Sequence, residues 1–370
     1  SKYGGNKPIV WALDDCHVVV TYDKDKARAF TQTMLGIMNG GALSLMMSIG
    51  HKTGLFDAMD GAEPASSTDI AEQSGLSERY VREWLSAMAC GGVINYNSTT
   101  DQFQLPAEHA GLLTRRSGPL NLTVPMQQIG LLAEVEADIV EAFQSGGGVP
   151  YDKFPRFQAL MSETSGNRFD RTLIDQIVPL LGIDDQLTSG IDMADVGCGS
   201  GKALGILGSA YPNSRFVGFD VSEGGIAAAR ENSAGLDNVT FELCDAAQLD
   251  ASDRFHVVTT FDAIHDQAHP MAVLEGVNRM LRSGGTYLCV EPKASSLLEE
   301  NMLDPMAPFM YTVSTMHCMT VSLAYGGEGL GTAWGHQTAT EYLTAAGFAD
   351  IEITGVRDDR SNNYFLSKKP

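Results

Sequence analysis

Asp195 sits in the apolar run "MADVG" and is followed at alternate positions by Gly197, Gly199 and Gly201 in "DVGCGSGK". Such a loop, placed directly after a strand, lets the backbone approach a nucleotide-like ligand closely, because glycine carries no Cβ. Two further apolar runs end in acids: "RFVGFD" in Asp220 and "VTFELCDAA" in Asp245. A carboxylate about twenty residues beyond such a loop can accept hydrogen bonds from both hydroxyls of a ribose. Two phosphate-binding loops are excluded. In G-x-x-x-x-G-K-[ST] the first glycine position would be Val196 and the hydroxyl position Ala203. In G-x-G-x-x-G, begun at Gly197, the third glycine position is Lys202. A pyrophosphate would also want bare N–H groups and a helix N-terminus with no carboxylate close by.

These residues need a particular scaffold. "MADVG", "RFVGFD", "VTFELCD", "HVVTTFDAI" and "TYLCVEP" are short strand candidates separated by helical stretches. That alternation predicts a mostly parallel sheet covered on both faces, with the ligand at the carboxyl ends of the strands. Upstream, residues 26–49 read as a helix interrupted at Asn39-Gly40-Gly41, either a break or a place of close helix packing. A short helix then ends at Ser74-Gly75. Ser77 can cap a second helix with Tyr80, Val81, Trp84, Leu85 and Met88 on one face, and a hairpin around "VINY" and "FQL" follows. Helix, turn, helix, hairpin is a winged helix. Residues 117–186 read as mostly helical, bent at "SGGGVPYDKFPRF".

The series acid-x-G-x-G-x-G, with acids at three consecutive strand ends, resembles class I S-adenosylmethionine-dependent methyltransferases. The resemblance implies an α/β, Rossmann-like catalytic domain preceded by a mainly helical winged-helix domain. S-adenosyl-L-methionine would be held by Asp195, Gly197, Gly199, Gly201 and Asp220, with Asp245 on the adenine amino group. Val221, Ala246 and Phe261 are counted with these cofactor contacts. "HVVTTFDAIHDQAHP" resembles the matching segment of plant-type small-molecule O-methyltransferases, whose general base falls on His265, with Asp266 beside it. An imidazole, with an ordinary pKa of ~6.5, can take a proton from a hydroxyl or thiol. The orienting acid of that family falls on Glu291; Glu328 lies near the place of a second one. His265 can serve as base or only as a positioning residue. "GHKTGLFDAM", "GLSERYVREWLSAMACGGV" and "LPAEHA" look closer to a bacterial and animal group of two-domain methyltransferases.

The layout is then an arm (1–22), a helical and winged-helix domain for dimerisation and as a substrate lid (23–186), and a cofactor-binding catalytic domain (187–370). Five methionines at 302, 306, 310, 316 and 319 are either core or pocket lining. Substrate contacts are assigned to Asp266, Met310, Tyr311, His317 and Trp334, with Cys318 as a pocket thiol. Tyr22, Met126 and Tyr151 are further candidates from the N-terminal half.

Forty-six acids against twenty-five bases give a net charge of −21, which repels nucleic acid and anionic membranes unless a local basic patch intervenes. Residues 51–116 hold nine acids and five bases, so the winged helix lacks the electropositive face of a DNA reader. The six cysteines are scattered singly, which speaks for reduced thiols and against a disulfide framework or a metal site. The N-terminus shows no signal-peptide pattern, and no apolar run approaches the ~20 residues of a membrane span. The expectation is a cytoplasmic homodimer acting on a small neutral or cationic acceptor, at oxygen or sulfur. The rival is a cofactor-sensing winged-helix transcriptional regulator.

Overall fold

The computed structural model describes residues 9–10, 19–20, 22–248 and 252–370. The arm assigned to residues 1–22 lies mostly outside them, apart from Ile9–Val10 (β1) paired with Val19–Val20 (β2). The chain divides into two compact units, Ser1–Ile129 and Gly130–Pro370.

In the first unit, helix α1 spans Lys24–Thr53. The Asp23 carboxylate caps it by accepting from the Asp25 and Lys26 N–H groups, and Gly54 ends it at φ +76°. The interruption expected at Asn39-Gly40-Gly41 does not occur. Each glycine costs a helix about 1 kcal/mol against alanine, which the helix formers on both sides outweigh. Unbroken, α1 is by length and composition apolar enough to cross a bilayer, contrary to the reading that no apolar run approaches a membrane span.

Helix α2 (Ser67–Ser74) starts with a reciprocal capping box between Ser66 and Asp69 and stops at Gly75, φ +67°. Helix α3 (Glu78–Cys90) buries Val81, Trp84, Leu85 and Met88. Tyr80, placed on the same face by spacing, is 81% exposed, and Ser77 stands at the N-cap without a side-chain bond. The wing is the antiparallel pair Asn95–Asn97 (β3) and Gln102–Gln104 (β4). Trp84 anchors this unit, edge-on to Phe56 and donating its indole N–H to the Met46 carbonyl.

The second unit is built on a seven-stranded sheet in the order β10-β11-β9-β8-β5-β6-β7. Its strands are β5 Asp192–Val196, β6 Arg215–Asp220, β7 Val239–Leu243, β8 Phe255–Phe261, β9 Leu281–Pro292, β10 Ala349–Val356 and β11 Asp359–Lys368. Strands β7, β6, β5, β8 and β9 run parallel, and β11 and β10 add an antiparallel edge. The parallel strands are apolar nearly throughout, as burial on both faces requires. Helix α4 (Phe157–Thr172), α5 (Lys202–Ala210), α6 (Glu223–Asn232), α7 (Pro270–Met280) and α8 (Gly335–Ala345) accompany the sheet. Phe169, Leu173 and Ile177 join the same core cluster as Val257, Leu288 and Val290. Residues 130–186, grouped by sequence with the N-terminal helices, thus fold with the sheet. The strand order reverses at β5, with β6 on one side and β8 on the other, so the crevice for a ligand opens at their carboxyl ends.

Candidate active site

The glycine loop after β5 is shaped by contacts that exclude side chains. Gly197, Gly199 and Gly201 have φ of +75°, +52° and +71°. A Cβ on Gly197 would stand 2.5 Å from the Ala263 Cβ, and one on Gly201 2.6 Å from the Phe241 ring. A Cβ on Gly199 would meet nothing within 4 Å, so the loop is open there.

Asp195 is buried and accepts from the Thr259 hydroxyl at 2.7 Å; burial pushes its carboxyl up to about 7. Asp220 accepts from the Gly199 N–H at 2.7 Å and the Ser222 N–H at 2.8 Å. Burial raises its pKa and these N–H bonds oppose the rise. Asp245 is exposed and caps its own turn, accepting from the Ala247 N–H and the Gln248 amide. Ala246 opens that turn, Val221 is 72% exposed, and Phe261 ends β8 edge-on to Phe169, with ring centroids 4.9 Å apart. An open glycine backbone flanked by acids on β5 and β6 suits a cofactor with a cationic and a ribose part.

Past β8 the chain turns through Asp262, a non-glycine residue at φ +52°, and delivers His265. His265 is buried, and its Nδ1 lies 2.7 Å from Glu291 Oε2. The other Glu291 oxygen accepts from the Ile264 N–H at 2.9 Å, so one carboxylate fixes both the ring and the loop that carries it. Burial alone would lower the His265 pKa. The Glu291 carboxylate, followed by the Cys318 thiol bonded to the ring, outweighs it and raises the value well above 6.5. Asp266 is half-buried, and its desolvation lifts its carboxyl to about 6. Glu328 does not orient His265; its carboxylate accepts from the Tyr342 hydroxyl at 2.5 Å.

Opposite this group, His317 and Cys318 occupy a π-helical turn, Ser314–Cys318. The His317 ring stacks on Phe157 at 3.6 Å between centroids, with Phe154 and Tyr151 edge-on at 4.6 and 5.5 Å. Its nitrogens make no hydrogen bond, and burial pushes its pKa down to about 3, so the imidazole is neutral. Burial raises the Tyr151 phenol, and Asp266, Asp220 and Cys318 add to the rise. Tyr151, His317, Cys318, Asp266 and His265 therefore converge.

The remaining substrate candidates have other neighbours within their own units or show only a degree of burial. Trp334 packs in the core against the sheet, the Tyr311 hydroxyl accepts from Asn301, and Met310 is half-buried. Met126 packs against the core of the N-terminal unit and Tyr22 is exposed. An ion pair next to this group had no signal in the sequence: Arg168 on α4 with Asp262, 2.8 Å away.

Comparison with known proteins fits this geometry. Residues 41–115 match the family model of the Rv2258c-like winged HTH domain, and residues 187–347 match that of a methyltransferase domain. The chain is 34% identical over 105 residues to an uncharacterized 37.1 kDa protein in transposon TN4556 of Streptomyces fradiae, covering 28% of this chain and 30% of that one. It is 29% identical over 116 residues to a demethylmenaquinone methyltransferase of Staphylococcus aureus, covering 31% and 48%. The matches thus span less than half the length of these curated relatives.

Among solved structures, human N-acetylserotonin methyltransferase in complex with SAM superposes with a TM-score of 0.67 at 16% identity, covering 92% of this chain and 97% of that one. The mitomycin 7-O-methyltransferase MmcR superposes with 0.70 at 15%, covering 94% and 100%. At such identities the likeness establishes the shared two-domain fold.

Proposed function

With a class I methyltransferase domain behind a winged HTH domain as premise, we propose that the chain methylates a hydroxyl or thiol of a small molecule, with His265 as general base. The cofactor of such a domain is S-adenosylmethionine, which supplies an electrophilic methyl group on a sulfonium sulfur. The open glycine loop and Asp220 hold it. The observation that carries the proposal is the bracket formed by Glu291, which takes the His265 Nδ1 proton in one hydrogen bond and the Ile264 N–H in another. With Nδ1 donating, Nε2 is the nitrogen that exchanges a proton with the acceptor. Glu291 and Cys318 raise the basicity of the ring.

The acceptor is small and uncharged or cationic. His317, held neutral, offers it a hydrogen bond, and Asp266 and Tyr151 border the same space. Nucleic acid is not the partner: Arg79 and Arg82 on α3, the basic side chains a DNA reader would present, are paired with Glu83 and Glu78. The N-terminal unit instead joins a second copy of the chain.

The test is methyl transfer from labelled cofactor to a panel of phenols, carboxylic acids, thiols, thioethers and amines, with wild type and His265→Ala side by side. Transfer to a hydroxyl or thiol, reduced about 10²- to 10⁴-fold in the variant, is expected of a general base. Transfer that survives the substitution would reduce His265 to a positioning role.

A further inference from the structure

His317 is wholly buried, yet neither of its ring nitrogens has a hydrogen-bond partner among the described residues. Buried polar groups in native proteins are paired, so each unpaired atom requires an explanation, an absent ligand among them. Packing alone does not supply one. The ring is stacked on Phe157 and edge-on to Phe154 and Tyr151, where a phenyl ring would fill the same space without stranding two polar atoms.

The ring is also held at a set place relative to His265. Gly331 donates its N–H to the His265 carbonyl at 3.0 Å. The next residue, Thr332, donates its N–H to the Ser314 hydroxyl and its own hydroxyl to the Cys318 thiol, both at 3.1 Å. Ser314 and Cys318 are the two ends of the π-helical turn that carries His317, and single turns of this kind occur often at functional sites. Only glycine fits the strap at 331: its φ is +73°, and a Cβ there would stand 2.2 Å from the Ser314 hydroxyl oxygen. Two imidazoles, one bracketed by Glu291 and one by aromatic rings, are therefore fixed to one frame. They are close: after burial, it is His265 that depresses the His317 pKa.

We propose that His317 selects the acceptor by reading a second, uncharged polar group, a hydroxyl or a carbonyl, on an aromatic molecule whose other hydroxyl goes to His265. This rests on the reading of His265 as general base. A neutral imidazole carries one donor and one acceptor and can exchange them between its nitrogens, so it takes either group. It offers no countercharge to a carboxylate, and Asp266, close enough to act on the Tyr151 phenol, disfavours an anion further. Tyr151 and Phe154 give the surroundings an aromatic character that favours a flat ring. Because the strap fixes the spacing of the two imidazoles, one positional relation between the two polar groups of the acceptor satisfies both.

The test is kcat/KM for methyl transfer by the full chain to phenol, the three dihydroxybenzenes and the three hydroxybenzoates. One dihydroxybenzene should exceed phenol and its own two isomers by about tenfold or more, because the others leave a buried partner unpaired. The hydroxybenzoates should fall below phenol. His317→Phe, which keeps the stack on Phe157, should erase the preference for that isomer, with the change carried by KM. The same variant should unfold at no lower urea concentration, since it strands no polar atoms. His317→Asn, which restores a donor and an acceptor, should recover part of the preference. A preference that survives His317→Phe, or a wild type without a preferred isomer, makes His317 a packing residue and overturns the proposal while the general-base reading stands. If wild type methylates none of these hydroxyls, the general-base reading falls and the proposal with it.

Discussion

The Glu291 carboxylate and the Cys318 thiol raise the His265 pKa, outweighing the cost of burying the charge. Stability and activity then respond to pH in opposite directions. A histidine whose folded pKa is raised adds stability that is full below its ordinary value of ~6.5 and is lost as pH rises through the folded value. The base form appears over that same rise, so the rate of methyl transfer should increase with pH well beyond 6.5. Glu291→Gln keeps an oxygen for the Ile264 N–H but removes the charge. It should move the rise in rate to lower pH and, by weakening the base, reduce the plateau by about tenfold. A pH–rate profile of wild type and variant checks both. The His265–Glu291 pair was legible because one residue follows β8 and the other closes β9 in a resembling motif. Arg168 was not: it lies in a helical stretch without pattern, and only the packing of α4 along the loop brings it to Asp262.

At the scale of elements, the three glycines of the loop do different work. Gly201 combines φ +71° with the Phe241 ring and Ala229 Cβ at 2.6 and 2.8 Å from an added Cβ. Gly199 has the strained backbone, φ +52°, but open space. Gly201→Ala should therefore cost about 2–4 kcal/mol by urea unfolding, from left-handed strain plus overpacking. Gly199→Ala should cost only about 1–2 kcal/mol, yet weaken binding of S-adenosylhomocysteine, because its methyl group enters the open side of the loop. Equal stability losses would contradict the distinction. The strands were readable from their apolar runs, since the parallel strands are buried on both faces. The unbroken course of α1 was not, because two glycines read as punctuation while the favourable residues around them decide the outcome. Nor could spacing separate Trp334 from the pocket: an aromatic residue near the site looks the same in sequence whether it lines a cavity or fills the core.

For the whole molecule, the outstanding feature of the N-terminal unit is α1. Phe30, Met34, Ile37, Met38 and Leu45 recur at three- and four-residue steps and are exposed, and Gly41 within the same stripe has nothing near it. A second copy packed along this stripe would bury it, with glycine allowing close approach. Two chains of net charge −21 repel each other, and salt screens that repulsion over a Debye length of about 10 Å at 0.1 M. An apolar interface between like-charged chains should therefore tighten as salt is raised, whereas one held by ion pairs would loosen. Sedimentation velocity in detergent-free buffer should show a dimer whose dissociation falls with added salt, and Ile37→Glu, placing a like charge in both halves of the interface, should yield monomer. A wild-type monomer at every salt concentration would leave the stripe to another surface, and recovery of the protein with lipid vesicles would then identify that surface as a bilayer.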